Sequence, residues 1–281
     1  MRKSENTKQK ADVGTAVLMV IFFVGLSVLL YPSVSNWWNE RVQTRAISTY
    51  DEAVANLSGI DYSAYFEAAE TYNEALQALG SAAALANPKL LDGYEETLDI
   101  TGTGIMGYVT IEKINVELPI YHGTDESVLQ VGAGHLEGSS LPVGGAGTHS
   151  VISAHRGLPS ALLFTNLDQM EIGDTFTITV LDQVFTYEVD QITIVLPDET
   201  ENLYIEEGKD YCTLMTCTPY GVNTHRLLVR GIRIENAENV RVRVSADAYK
   251  IHSIVIAPFL ALPMLAVLLI GIWGSTRGKK R

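Results

Sequence analysis

Two long apolar runs bound what this chain of 281 residues can fold into. Val13 to Tyr31 reads VGTAVLMVIFFVGLSVLLY, nineteen residues without a charge, and Ile254 to Trp273 reads IVIAPFLALPMLAVLLIGIW, twenty more. Each is long enough to cross the hydrocarbon core of a bilayer as a helix. Pro258 and Pro263 are costly in a soluble helix but tolerated in a membrane one. Arg2, Lys3, Lys8 and Lys10 precede the first run, and Arg277, Lys279, Lys280 and Arg281 follow the second. Positive charge favours the cytoplasmic side, so both termini are expected inside and residues 32–250 outside. The first run is too long for a typical cleaved signal peptide, and no small-residue cleavage site follows it cleanly. No recognition motif for a sorting tail precedes the second run in Ala237 to Ser253, so two retained spans in a cell membrane are expected.

The outer portion carries 12 lysines and arginines against 31 carboxylates. Nucleic acid needs a basic face, and this balance argues against it as a partner. The excess acid, including Asp198-Glu-Thr-Glu and Glu206-Glu207, reads as solvated surface.

Residues 32–100 form a helical region. Trp38, Val42, Ala46, Tyr50 and Ala53 recur at spacings of four and three. After a break at Ser58-Gly59, so do Tyr65, Ala69, Tyr72, Leu76 and Leu79, which gives two apolar stripes and a helical hairpin. Asp61 or Ser63 is placed to cap the second helix. From Gly102 the period changes to short β-type runs between turn residues: Ile105–Ile111, Val116–Tyr121, His149–Ala154, Thr175–Leu181, Val184–Val195, Tyr211–Cys217 and Arg226–Ile234. Only Ser160 to Met170 suggests a helix within this stretch. Many short strands with Gly and Pro turns predict a closed barrel or a sandwich. The organisation is then a tail (1–12), a span (13–31), the helical region (32–100), a β domain (101–236), a tether (237–253), a second span (254–273) and a basic tail (274–281).

The chain has two cysteines, both in one predicted strand. Cys212 and Cys217 are five positions apart, so they face opposite sides. They lie roughly 16 Å apart along an extended strand, beyond disulfide reach. A metal site would want more soft ligands nearby. Cys212 reads as a buried small hydrophobe. Cys217 ends its strand just before Thr218-Pro219-Tyr220-Gly221, which forces the chain out of the ladder and puts the thiol at a rim. Arg226 starts the next run. If the two runs pair, it flanks the same loop, where a guanidinium favours thiolate and can bind an oxyanion. The alternative for Arg226 is a surface strand charge like Arg230 and Arg233. A thiol nucleophile also needs a proton acceptor and donor. Among six histidines, His155 leads, because it closes the run HSVISA at a strand end facing a loop. His122, His135, His149 and His225 read as structural.

TLMTCTPYGVNTHRLLVRG together with HSVISAHRGLP closely resembles the sortases, and in particular the class C, pilin-polymerising sortases of Gram-positive bacteria. GIMGYVTIEKINVELPIYHGT (Gly104–Thr124), GAGHLEGSSLPVGG (Gly132–Gly145) and LLYPSVSNWWNERVQTRAISTY (Leu29–Tyr50) are similar too. The resemblance implies a mainly β fold, a closed eight-stranded barrel with an N-terminal helical region and two flanking membrane helices. It implies a site with Cys217 as nucleophile, His155 as acid and base, and Arg226 holding the substrate backbone, with Thr216 beside them to touch substrate. The implied reaction cleaves an LPXTG-like sorting signal between Thr and Gly through a thioacyl enzyme and joins it to a pilin lysine. No metal or organic cofactor is implied. The partners would be LPXTG-tailed pilins or surface proteins, and the lipid bilayer. The alternatives are a sortase that anchors single proteins to the cell wall, a simple cysteine peptidase, or a non-enzymatic adhesin or assembly scaffold. Class C sortases usually carry a lid with an Asp-Pro-aromatic motif. Here Asn87-Pro88-Lys89 has the proline alone, and Asp92-Gly93-Tyr94 has the acid and the aromatic without it, so either Asn87 and Pro88 or Asp92 and Tyr94 are expected to serve as a degenerate, loosely bound lid.

Overall fold

The computed structural model describes residues 13–57 and 62–236. The expected second span, the tether and both tails lie outside the described residues. The chain begins with one helix, α1 (Val13–Asn56), in which the first apolar run and the expected membrane-proximal helix are continuous. At 1.5 Å per residue it is about 66 Å long. Its residues from Val17 to Leu29 present apolar side chains to the outside. By length and composition it is one helix able to cross a membrane.

Past Pro32 the helix turns from exposed to docked. Asn36 Oδ1 accepts from Leu162 N at 2.8 Å, Asn39 Nδ2 donates to Ser160 O at 2.8 Å, and Gln43 Nε2 donates to Val131 O at 3.0 Å. Spacings of three and four put these amides on one face. Further along, buried Tyr50 donates to Met106 O at 3.1 Å and accepts from Leu181 N at 2.8 Å. The second helix, α2 (Ser63–Leu79), begins at Tyr62 without a side-chain cap. Its buried Asn73 both donates to Leu141 O (3.1 Å) and accepts from Leu141 N (2.7 Å). A short α3 (Ser81–Ala86) follows.

The β domain holds β1 (Ile105–Ile111), β2 (Val116–His122), β3 (Ala133–His135), β4 (Thr148–Ser153), β5 (Thr175–Val180), β6 (Gln183–Val195), β7 (Asp210–Thr218) and β8 (His225–Ile234). They close a barrel in the order β1-β2-β3-β4-β7-β8-β6-β5. The pairs β2–β3 and β4–β7 are parallel and the rest antiparallel. Two expectations change here. The strand β3, which carries His135, is an eighth beyond the seven expected runs: a Cβ on Gly134 would come within 2.2 Å of Gly123 O, so glycine is what lets β3 approach β2. Ser160 to Met170 is not a helix. It forms turns and a single 3₁₀ turn at Leu167–Gln169. Leu163 takes a positive φ of 43° there, and the loop's buried Leu163, Phe164 and Leu167 reach the core without helical spacing.

Two buried histidines tie loops to the barrel in the neutral form. His135 Nε2 donates to Ser140 O (2.8 Å) and Nδ1 accepts from Tyr94 (2.9 Å). His149 Nδ1 donates to Tyr204 O (3.0 Å) and Nε2 accepts from Thr213 (2.7 Å). Burial pushes both imidazoles down from 6.5 to about 4. The unfolded chain therefore binds protons that the folded one refuses. The stabilisation is whole above about pH 6.5 and is lost as pH falls toward 4, by roughly 3 kcal/mol per histidine. Urea unfolding at pH 7 and pH 4.5 is expected to show that loss, and His149→Gln to make it smaller.

Candidate active site

The site is built by parity on three neighbouring strands. On β7, Cys212 and Leu214 belong to the barrel interior, whereas Met215 packs with Val151 of β4 and Leu228 of β8 in a separate outer cluster. Cys217 shares the parity of Met215 and so belongs to the outer face. In the β7–β8 ladder it is paired with Arg226. The parallel β4–β7 register runs from Thr148↔Asp210 to Ser153↔Met215, and Ala154 N continues it with a 3.1 Å bond to Met215 O. Two steps beyond Ser153 and Met215 stand His155 and Cys217. Their order across the sheet is thus His155, Cys217, Arg226, on strands spaced about 4.8 Å apart.

The two cysteines are free thiols with different surroundings. Cys212 is fully buried, and desolvation holds its thiol well above the usual range, so it stays protonated. Cys217 is partly exposed at the barrel rim, where the Thr218–Pro219 bond is cis and the chain turns away. Arg226 donates through Nη1 only to the His225 carbonyl (3.2 Å) and forms no salt bridge among the described residues. Its guanidinium therefore keeps donors for a ligand. Arg230 and Arg233, by contrast, pair with Asp190, Glu206 and Asp210.

His155 is held from both sides. Its carbonyl accepts from Phe164 N at 3.1 Å. Its Nε2 is shut off from solvent, makes no hydrogen bond, and lies 3.4 Å from Glu126 Oε2 in the short helix α4 (Glu126–Leu129). The next residue, Arg156, bonds Asp168 (2.5 Å) and Thr218 Oγ1 (3.3 Å), linking the strand end after His155 to the one after Cys217. Gly157, at φ 79°, lies so close to Tyr220 that a Cβ would come within 3.1 Å of its ring. The β7–β8 turn thereby forms one wall of the site.

Thr216, expected to touch substrate, points inward. It is buried, and its hydroxyl donates to Ala154 O at 2.7 Å. It fastens β7 to the strand end that carries His155. The expected lid divides in two. Lys89, beside Asn87 and Pro88, pairs with Glu137 at 2.9 Å. Tyr94 is buried, meets His135 Nδ1 at 2.9 Å, accepts from Gly123 N at 2.9 Å, and stacks edge-on to His122. Tyr94 is a strut against β2 and β3. Asp92 is exposed in the bend before it. Sequence reasoning missed Glu126, Arg156 and Asp168. Only Arg156 had a local signal, its place directly after His155.

A family model for the sortase domain matches residues 109–234. The chain shares 50% identity with the solved sortase C1 of Streptococcus agalactiae, with a TM-score of 0.63, over 69% of this chain and all of that one. The chain belongs to the sortase family, in its class C. This sortase is also similar to the structure of sortase C1 of GBS Pilus Island 1 (44% identity, TM-score 0.64, 73% of this chain and 97% of that one). Among curated relatives, sortase D of Bacillus subtilis (strain 168) is 33% identical over 131 residues, 46% of this chain. The chain spans 63% of that relative's length.

The two thiols differ enough to be told apart chemically. The thiolate is the reactive form, and burial suppresses it. Iodoacetamide is expected to label Cys217 in the folded protein and leave Cys212 untouched. Mass spectrometry of Cys217→Ala should find no adduct until the protein is denatured.

Proposed function

We propose that this sortase is a membrane-anchored cysteine transpeptidase that polymerises pilin subunits. The observation that carries the reading is Cys217 paired with Arg226 in the β7–β8 ladder, with His155 two residues past the end of the neighbouring strand β4. In the proposed first step the Cys217 thiolate attacks the Thr carbonyl of an LPXTG-like signal. A carbon–sulfur bond forms, the Thr–Gly carbon–nitrogen bond breaks, and the His155 imidazolium gives its proton to the departing glycine amine. In the second step a neutral lysine amine of another subunit attacks the thioester. A carbon–nitrogen bond forms, the thiolate leaves, and His155 takes the amine's proton. Arg226, with donors engaged by no carboxylate among the described residues, holds the substrate backbone and the oxyanion of each tetrahedral intermediate.

Polymerisation in particular draws on likeness to sortase C1 of GBS Pilus Island 1, a sortase named for a pilus island. We further propose two membrane passes, with both termini in the cytoplasm. One span is α1. The other is the apolar run from Ile254 to Trp273, which lies outside the described residues.

Incubation with a purified pilin subunit tests the reading. High-mass ladders are expected on denaturing gels. Cys217→Ala is expected to abolish them, and Arg226→Lys to lower kcat about a hundredfold, as loss of an oxyanion donor does. Cleaved subunits that are never joined would sink polymerisation. Joining to cell-wall peptide in place of pilin would favour the anchoring of single proteins.

A further inference from the structure

The β2–β3 connection brings a carboxylate to the histidine. Glu126 Oε2 is 3.4 Å from His155 Nε2, and that nitrogen is closed to water and without a hydrogen bond. An ordinary surface ion pair joins two solvated groups and contributes little. Here one partner is a buried imidazole nitrogen, and the carboxylate is the charged group that faces it. Glu126 is itself oriented, since its other oxygen, Oε1, accepts from Gln130 Nε2 at 2.5 Å. The Gln130 amide, and then the His155 ring, hold the Glu126 carboxyl below its usual range. The loops that meet at this contact are fixed to the same face of α1. Gln43 holds Val131 at the end of Glu126's loop, and Asn39 holds Ser160 beyond His155.

We infer that Glu126 is the positioning residue of His155. Its carboxylate receives the Nε2–H, fixing the ring's angle and tautomer and leaving Nδ1 to exchange protons with the thiol and the amines. A ring free to rotate would spend part of its time with the wrong nitrogen presented, which slows proton transfer without weakening peptide binding. Catalytic hydrogen bonds are often long before substrate arrives, and a shift of a few tenths of an ångström closes this one. The inference rests on His155 being the acid and base of the proposed reaction.

The test uses the whole protein in detergent, a fluorogenic peptide with a Leu-Pro-Glu-Thr-Gly core, and a lysine peptide as acceptor. Glu126→Ala is expected to lower kcat about tenfold, a fraction of what general acid–base catalysis supplies. KM for the fluorogenic peptide should stay within about twofold, because Glu126 is not assigned to peptide binding. Glu126→Gln should recover most of kcat, because its amide oxygen still accepts the Nε2–H. The Glu126 side chain is 72% exposed, so the Tm of both variants should match that of the parent. An unchanged kcat in Glu126→Ala, beside an inactive His155→Ala, overturns the inference and leaves the reaction standing. A glutamine variant as slow as the alanine one overturns positioning as well. A parent protein that neither cleaves nor transfers overturns the functional reading and this inference with it.

Discussion

The parallel pairing of β4 with β7 is the constraint on which the site depends. The two strands are 62 residues apart in the chain at Ser153 and Met215, so no local signal joins them. Their register decides which residue stands beside Cys217. Because side chains alternate along a strand, a slip of one position would turn His155 to the other face. Two further bonds beyond the regular ladder guard that register. Ala154 N donates to Met215 O, and Thr216 donates back to Ala154 O. Thr216 thus matters through the barrel, and the arrangement of the three outer residues is a consequence of ladder geometry.

The loops that flank this register are also tied to α1. In α1, Asn36, Asn39 and Gln43 form a polar stripe that bonds backbone atoms of Leu162, Ser160 and Val131. Those atoms belong to the loops on either side of the contact between His155 and Glu126. The apolar first half of the helix is exposed and able to cross a bilayer, and the second half is docked on the barrel. Because the helix is continuous, its apolar half and the histidine's loops are joined by hydrogen bonds across a few turns. This explains why amides occur where an amphipathic stripe would otherwise suggest only Val42, Ala46 and Tyr50. Their partners are loop backbone groups, which an apolar residue would leave unsatisfied.

Much of this was legible in the sequence, for reasons that differ by element. Strict alternation in Thr175-Phe-Thr-Ile-Thr-Val marks a half-buried strand, and six other strands could be placed as short β-type runs between turn residues. The exception is β3, three residues long, because its pairing depends on the absence of a side chain at Gly134 rather than on any apolar pattern. The stretch from Ser160 to Met170 misled because its apolar residues serve a loop that wraps the core. The pairing of Cys217 with Arg226 could be read from one hairpin. The place of His155 beside them needed the β4–β7 register, which only the family resemblance supplied in advance. Glu126 was out of reach altogether. It is 29 positions before His155 in sequence, on a four-residue helix, and nothing in its neighbours distinguishes it from other surface acids.

The lid residues show how one motif can be divided between two jobs. Tyr94 is buried, its ring lies against His122 and His135, and its hydroxyl bonds His135 of β3 and the backbone of Gly123, just past the end of β2. Gly134 makes room for the approach of β3 to β2, so Tyr94 and Gly134 stabilise the same weak point of the barrel from opposite directions. Glycine removes a side chain so that two backbones can come together, and tyrosine supplies hydrogen bonds where the short β3 has few of its own. Lys89 meanwhile is drawn to Glu137 through an exposed ion pair, a contact of the kind that contributes little. The segment from Asn87 to Gly93 is consequently anchored firmly at its tyrosine end and weakly at its lysine end.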